Sequence, residues 1–140
     1  MSRSGYSEDC DGWALVRWRG AVKSAIRGQR GQAFLRELLA ALDAIPDKRL
    51  IAEELVDAQG AVCALGSVGK MRGMDMSGID YEEPECVAQA FGIPRALAAE
   101  IEFENDEDFC YKEAPEARWH RMRKWVESLI AAAAQQAKET

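Results

Sequence analysis

From Pro115 onward, apolar side chains recur at Trp119, Met122, Val126, Leu129 and Ile130, at offsets of 0, 3, 7, 10 and 11. That spacing draws a stripe along one side of an α-helix; a strand would alternate every second residue. It predicts a closing helix over about 115–136, with Pro115 in its first turn. Trp119 and Val126 are expected to face the core. Trp125 widens the stripe and is expected at its edge, within reach of a partner or a homodimer mate. The AAAAQQAKET end has high helix propensity but little to bury, so residues 133–140 are expected to fray.

The same period recurs upstream. Residues 13–27 place Leu15, Trp18, Val22, Ala25 and Ile26 on one helical face. Residues 32–45 do the same with Phe34, Leu35, Leu38, Leu42 and Ile45, and Pro46-Asp47 ends that helix. The break at Gly28-Gln-Arg-Gly31 makes the pair a helical hairpin. Pro84 and Pro94 open two further helices, about 82–91 and 94–104, separated by Gly92.

One stretch departs from this period. RLIAEELVD over 49–57 reads as strand or helix, and AVCALGSVG over 61–69 is short, β-tolerant and glycine-punctuated. With Ala58-Gln-Gly60 as a turn, they predict a small antiparallel hairpin, 50–56 with 61–67. The expected fold class is therefore α+β: a mostly helical single domain with a two-stranded antiparallel hairpin. Its organisation is a flexible N-terminus over 1–12, a domain over 13–132 and a fraying tail over 133–140. Its expected core is Leu15, Trp18, Val22, Ile26, Leu35, Leu38, Leu42, Val62, Leu65, Phe91, Leu97, Ile101, Trp119, Met122, Val126 and Leu129.

A chain of 140 residues suits one domain with its own core. No apolar run reaches the length of a membrane span, and the N-terminus has no apolar h-region, so a cytoplasmic protein is expected. The four cysteines, at 10, 63, 86 and 110, are expected as thiols, and no CxxC occurs.

Charge is segregated along the chain. Residues 1–36 carry seven Arg/Lys against three acids, and 117–140 carry five against two. Between them, 75–116 carry two against thirteen. Basic ends either lie against the acidic segment or leave it as an exposed field that steers a basic partner.

No motif points to catalysis. His120 stands between Trp119 and Arg121 without a neighbouring nucleophile. Gly28-Gln-Arg-Gly31 and Gly66-Ser-Val-Gly69-Lys70 both miss the phosphate-loop spacing. Cys63, Cys86, Cys110 and His120 are too far apart in sequence for a recognisable zinc pattern. Glu100 and Glu104 share a helical face and are followed by Asp106, Glu107 and Asp108, a carboxylate cluster that could hold a divalent cation but lacks the EF-hand pattern.

Gly60-Ala-Val-Cys-Ala-Leu-Gly66, Phe91-Gly-Ile, Ala98-Ala-Glu-Ile101, Glu104-Asn-Asp-Glu107 and Glu116-Ala-Arg-Trp119 through Val126 are distinctive as a set. Over about 50–130 the chain resembles small phage and prophage proteins with a CALG hairpin and a following END-type helical segment. The resemblance implies an accessory role, such as host takeover or inhibition of a defence system, and carries over no catalytic residue.

The expected function is non-enzymatic binding of a host or phage protein, without cofactor or metal. The expected contact residues are Glu100, Glu104, Asp106, Glu107, Asp108 and Trp125. The first alternative is nucleic-acid binding by the basic residues Arg17, Arg19, Lys23, Arg27 and Arg30. The second is a small metal-dependent enzyme using the clustered carboxylates.

Overall fold

In the computed structural model, residues 12–106 and 113–139 are described. Within them the chain forms six helices: α1 (Gly12–Arg27), α2 (Gln29–Ala44), α3 (Ala64–Arg72), α4 (Pro84–Phe91), α5 (Arg95–Asp106) and α6 (Pro115–Glu139). α2 lies at the centre, packed on α1, α3 and α6, and α5 closes the domain against α1, α3, α4 and α6. Leu35, Leu38, Leu42, Leu50, Leu65, Leu97, Ile101, Met122 and Val126 form its fully buried middle.

The amphipathic segments fold as their period requires. α1 and α2 are joined by the single residue Gly28. The corner is close because Gly31 lies against the Ala25 carbonyl, where any Cβ would collide. Gln32 fastens it with a side-chain N–H donated to the Ile26 carbonyl at 2.7 Å. In α4, Pro84 occupies the first turn, and Gly92 ends the helix at φ 71°, a left-handed conformation that favours glycine. α6 is one continuous helix from Pro115 to Glu139, including the segment expected to fray.

The predicted hairpin is not formed, and the fold is all-helical among the described residues. Residues 61–67 do not make a second strand, because α3 begins at Ala64. The approach of the two segments survives only as one antiparallel bridge, Val56 with Val62, accompanied by Ile51 N–H to the Val62 carbonyl at 2.9 Å and Cys63 N–H to the Leu55 carbonyl at 3.2 Å. The physical reason lies in the small residues. Residues 64–69 are buried throughout, so α3 shows no polar face and no helical period. A short buried helix and a buried strand look alike in such a run. Gly66 brings α3 against the Leu55 carbonyl, a contact that excludes a side chain. The Cys63 sulfur then accepts the Gly66 N–H at 3.3 Å and caps the helix.

Four expected core residues lie at its margin: Leu15, Trp18, Ile26 and Leu129 are half-buried, while the other twelve are buried. No helix among the described residues is long and apolar enough to cross a membrane.

Candidate functional site

Two features stand out: a buried polar knot below α5, and the outer face of α1.

The knot begins at the end of α5. Asn105, 1% exposed, accepts the Ala64 N–H on its Oδ1 at 3.1 Å, meeting a free donor at the start of α3. Its Nδ2 donates to the Ile51 carbonyl at 2.9 Å and to Asp106 Oδ1 at 2.6 Å. Asp106 also accepts the Glu53 N–H at 3.1 Å and the Tyr81 hydroxyl at 2.6 Å. Glu53 is held there at φ 72°, an uncommon left-handed backbone for a residue with a side chain. Burial pushes the Tyr81 hydroxyl well above its ordinary pKa, and the charges of Asp106 and Glu102 add to the shift.

From the other side, α6 supplies two arginines. Arg118, 5% exposed, donates from Nε to the Asn105 carbonyl at 2.9 Å and from a terminal nitrogen to the Leu50 carbonyl at 3.1 Å. Arg121 reaches the Glu104 carbonyl at 2.6 Å and grips Glu113 through two nitrogens at 2.8 and 2.9 Å. Arg121's hydrogen bond is the largest cause holding the Glu113 carboxyl below its usual range. These cations stand at the C-terminal end of α5, where the helix dipole and unpaired carbonyls favour positive charge.

The expected acidic contact surface is therefore largely drawn inward where it is described. Glu104 pairs with Arg121 at 3.6 Å, and Asp106 serves the knot. Glu100 is half-buried on α5. Glu107 and Asp108 lie outside the described residues. Trp125 is half-buried and packs against the core edge, whereas Trp119 is buried and donates its indole N–H to the Leu42 carbonyl at 2.9 Å. Exposed acid is found instead at Asp75, Asp80, Glu82, Glu83 and Glu85, around the loop before α4.

The basic residues are placed differently. Arg17, Arg19, Lys23, Arg27 and Arg30 are all exposed. Arg30 donates to the Gly92 carbonyl at 2.8 Å and so helps finish α4. Arg17, Arg19, Lys23 and Arg27 make no ion pair with any described residue. Residues 12–36 contain six cations and no acid. Beside these cations stand Trp13, 75% exposed, and Val16, 62% exposed. The inner side of α1 is well held: Val22 is buried, and the Arg95 guanidinium lies 5.7 Å from the Trp18 ring centre and 3.8 Å from Glu85.

Chemistry is sparse elsewhere. No group of three or more His, Cys, Asp or Glu among the described residues could hold a metal ion. Cys63 is buried, and burial drives its thiol far above the ordinary range. Cys86 is exposed, His120 is an exposed residue whose ring meets Trp119 edge-on at 4.9 Å, and Cys110 lies outside the described residues. A groove of about 420 Å³ runs past Ile45, Arg49, Ile51, Val62, Lys70 and Pro115. Its Arg49 is already paired with Glu116 at 3.0 Å.

Sequence reasoning missed Arg118 as an organising residue and gave Asn105 only as part of the END-type segment. Nothing in their spacing marks them, since the backbone groups they hold lie far away in the chain. It also passed over Trp13 and Val16, which lie off the apolar stripe of α1 and could have been noticed for that reason.

Comparison with known proteins gave no match: no family model fits the sequence, and no curated protein or solved structure is similar to it.

Proposed function

We infer that this chain is a non-enzymatic protein-binding domain whose docking surface is the outer face of α1. One observation carries the reading. A large aromatic and a β-branched side chain, Trp13 and Val16, are presented to solvent among four cations that no described residue neutralises. Tryptophan and arginine are the side chains most enriched where binding energy concentrates. Of the carboxylates first expected to serve, Glu104 and Asp106 are engaged within the domain, whereas Arg17, Arg19, Lys23 and Arg27 pair with no described residue. The resemblance over 50–130 supplies a setting, an accessory protein acting on a host or defence protein.

A photo-crosslinking amino acid in place of Val16 tests this reading in cell lysate. A discrete protein adduct is expected there, competed by unlabelled protein but not by the Trp13→Asp/Arg17→Glu variant. The same probe in place of Gln89, on exposed α4, should give none. Equal labelling from both positions would remove α1 as the docking face.

A second reading, nucleic-acid binding, has one observation in its favour. Arg19, Lys23 and Arg27 form an i, i+4, i+8 row, about 6 Å apart along the helix, with no acid between residues 12 and 36. Fluorescence anisotropy with a single-stranded and a duplex oligonucleotide, at low and moderate salt, distinguishes it.

A further inference from the structure

The geometry points to an acid-flanked amphipathic helix of a partner protein as the element that docks along α1. This rests on the reading of α1 as the docking face and specifies what that face recognises.

Successive helical residues turn by about 100°, which sets Trp13, Val16, Gly20, Ser24 and Arg27 on one side of α1, opposite the buried Val22. Their spacing of 3, 4, 4 and 3 is that of a seam between two packed helices. The seam has relief. Trp13 and Val16 project at its N-terminal end. Gly20 then leaves a gap, and a Cβ placed there would meet nothing within 4 Å. Nothing in the fold therefore requires a glycine at that position, and mid-helix glycine costs about 1 kcal/mol relative to alanine. A gap one turn beyond two apolar projections suits a partner helix that inserts a large side chain there and receives Trp13 in return.

Charge defines the partner's edges. Arg17 lies on one flank of the seam, Lys23 and Arg19 on the other, and Arg27 closes its end. All are exposed, and none is paired with a described residue. In paired helices the flanking positions select the partner by opposite charge. A helix carrying Glu or Asp on both flanks of an apolar stripe complements this arrangement. A phosphate backbone complements the cations but leaves Val16 and the Gly20 gap without a role.

The test uses the full chain and a labelled synthetic helix of about three heptads, with Leu along its seam and Glu on both flanks. Anisotropy should report saturable binding that weakens with salt, and a peptide with the same seam but Lys flanks should bind at least about tenfold more weakly. Gly20→Leu should lower affinity for the Glu-flanked peptide by about tenfold or more without lowering the melting temperature. No binding of the Glu-flanked peptide, equal binding of the two peptides, or indifference to Gly20→Leu would each overturn the proposal. Tighter binding of a single-stranded oligonucleotide than of the peptide would do so too. If the Val16 crosslink to a cellular protein persists while the peptide fails, α1 still docks a protein but not through such a helix. If both fail, α1 is not the docking face.

Discussion

Arg118 and Asn105 meet in the interior: the guanidinium of α6 donates to the main-chain oxygen at the end of α5 over 2.9 Å, while its other arm holds the Leu50 carbonyl at 3.1 Å. One buried cation thus joins a helix end, an irregular segment and the closing helix. Glu113 stands 3.5 Å away and balances its charge.

Removing that cation should be costly. Arg118→Ala removes this donor from the Leu50 carbonyl and the shorter of two arginine contacts from the Asn105 carbonyl, and the expected loss is about 3–5 kcal/mol. Arg118→Lys should recover little, because one ammonium cannot span both carbonyls in the fork geometry of guanidinium. Urea titration followed by circular dichroism measures both. A loss within about 1 kcal/mol for Arg118→Ala, the range of a surface ion pair, would mean that the knot adds little to stability.

Two glycines should respond in opposite directions. Gly20→Ala meets no neighbouring atom and should raise stability by about 0.5–1 kcal/mol. Gly66→Ala drives a Cβ into the Leu55 carbonyl, and backbone has little room to retreat. A loss of at least about 1–3 kcal/mol is expected. Thermal melts of the two variants side by side are decisive, and a stabilised Gly66→Ala would contradict the close packing of α3.

Thiol reactivity should separate two cysteines. Cys86 is exposed and should be modified by a maleimide in the native protein. Cys63 is buried, and its thiol is held far from ionisation, so it should remain unmodified until the protein unfolds. Peptide mapping after brief labelling, with and without denaturant, reads each site. Native labelling of Cys63 at the rate of Cys86 would rule out its sealed position.

Acid should weaken the fold in part through Glu113. Its folded pKa lies below the ordinary 4.5, chiefly because of the hydrogen bonds from Arg121. A carboxylate lowered in this way gives its full stabilisation above the unfolded value and loses it as pH falls through the folded one. Glu37, bound by Arg72, and Asp43, bound by Arg123, shift in the same direction. Glu113→Gln should therefore be less stable than the parent at near-neutral pH, and the difference should shrink as pH drops below the ordinary carboxylate range. A difference that grows on acidification would reverse the sign and refute the assignment.

Sequence pattern located five helices because each has a wet side and a dry side. The predicted 13–27, 32–45, 82–91, 94–104 and 115–136 became Gly12–Arg27, Gln29–Ala44, Pro84–Phe91, Arg95–Asp106 and Pro115–Glu139. α3 escaped because burial of 64–69 erases the contrast on which periodicity depends. The acidic composition of 75–116 was visible, but not which carboxylates turn inward. Glu104 meets Arg121, 17 positions along the chain, and Asp106 meets Tyr81, 25 positions back. Such pairings arise only from the packing of α5 against its neighbours. The row of cations on α1 could be read directly, because a helix that is polar on one side needs no tertiary information to place it.

The irregular run from Pro46 to Cys63 folds back on itself through the Val56–Val62 bridge and a few main-chain hydrogen bonds, and later residues fasten its Leu50–Ile51 corner. Leu50 N–H is held by the Pro115 carbonyl, the Leu50 carbonyl by Arg118, and the Ile51 carbonyl by Asn105. On a ribosome, α1 and α2 can pair as soon as both emerge, since their corner is local. The contacts that hold Leu50 must wait until the start of α6 has been synthesised. Nascent chains halted before that point would lack the Pro115 and Arg118 contacts to Leu50, leaving that segment open to chaperones and proteases. The order of synthesis thus leaves the fastening of Leu50 to the last helix made.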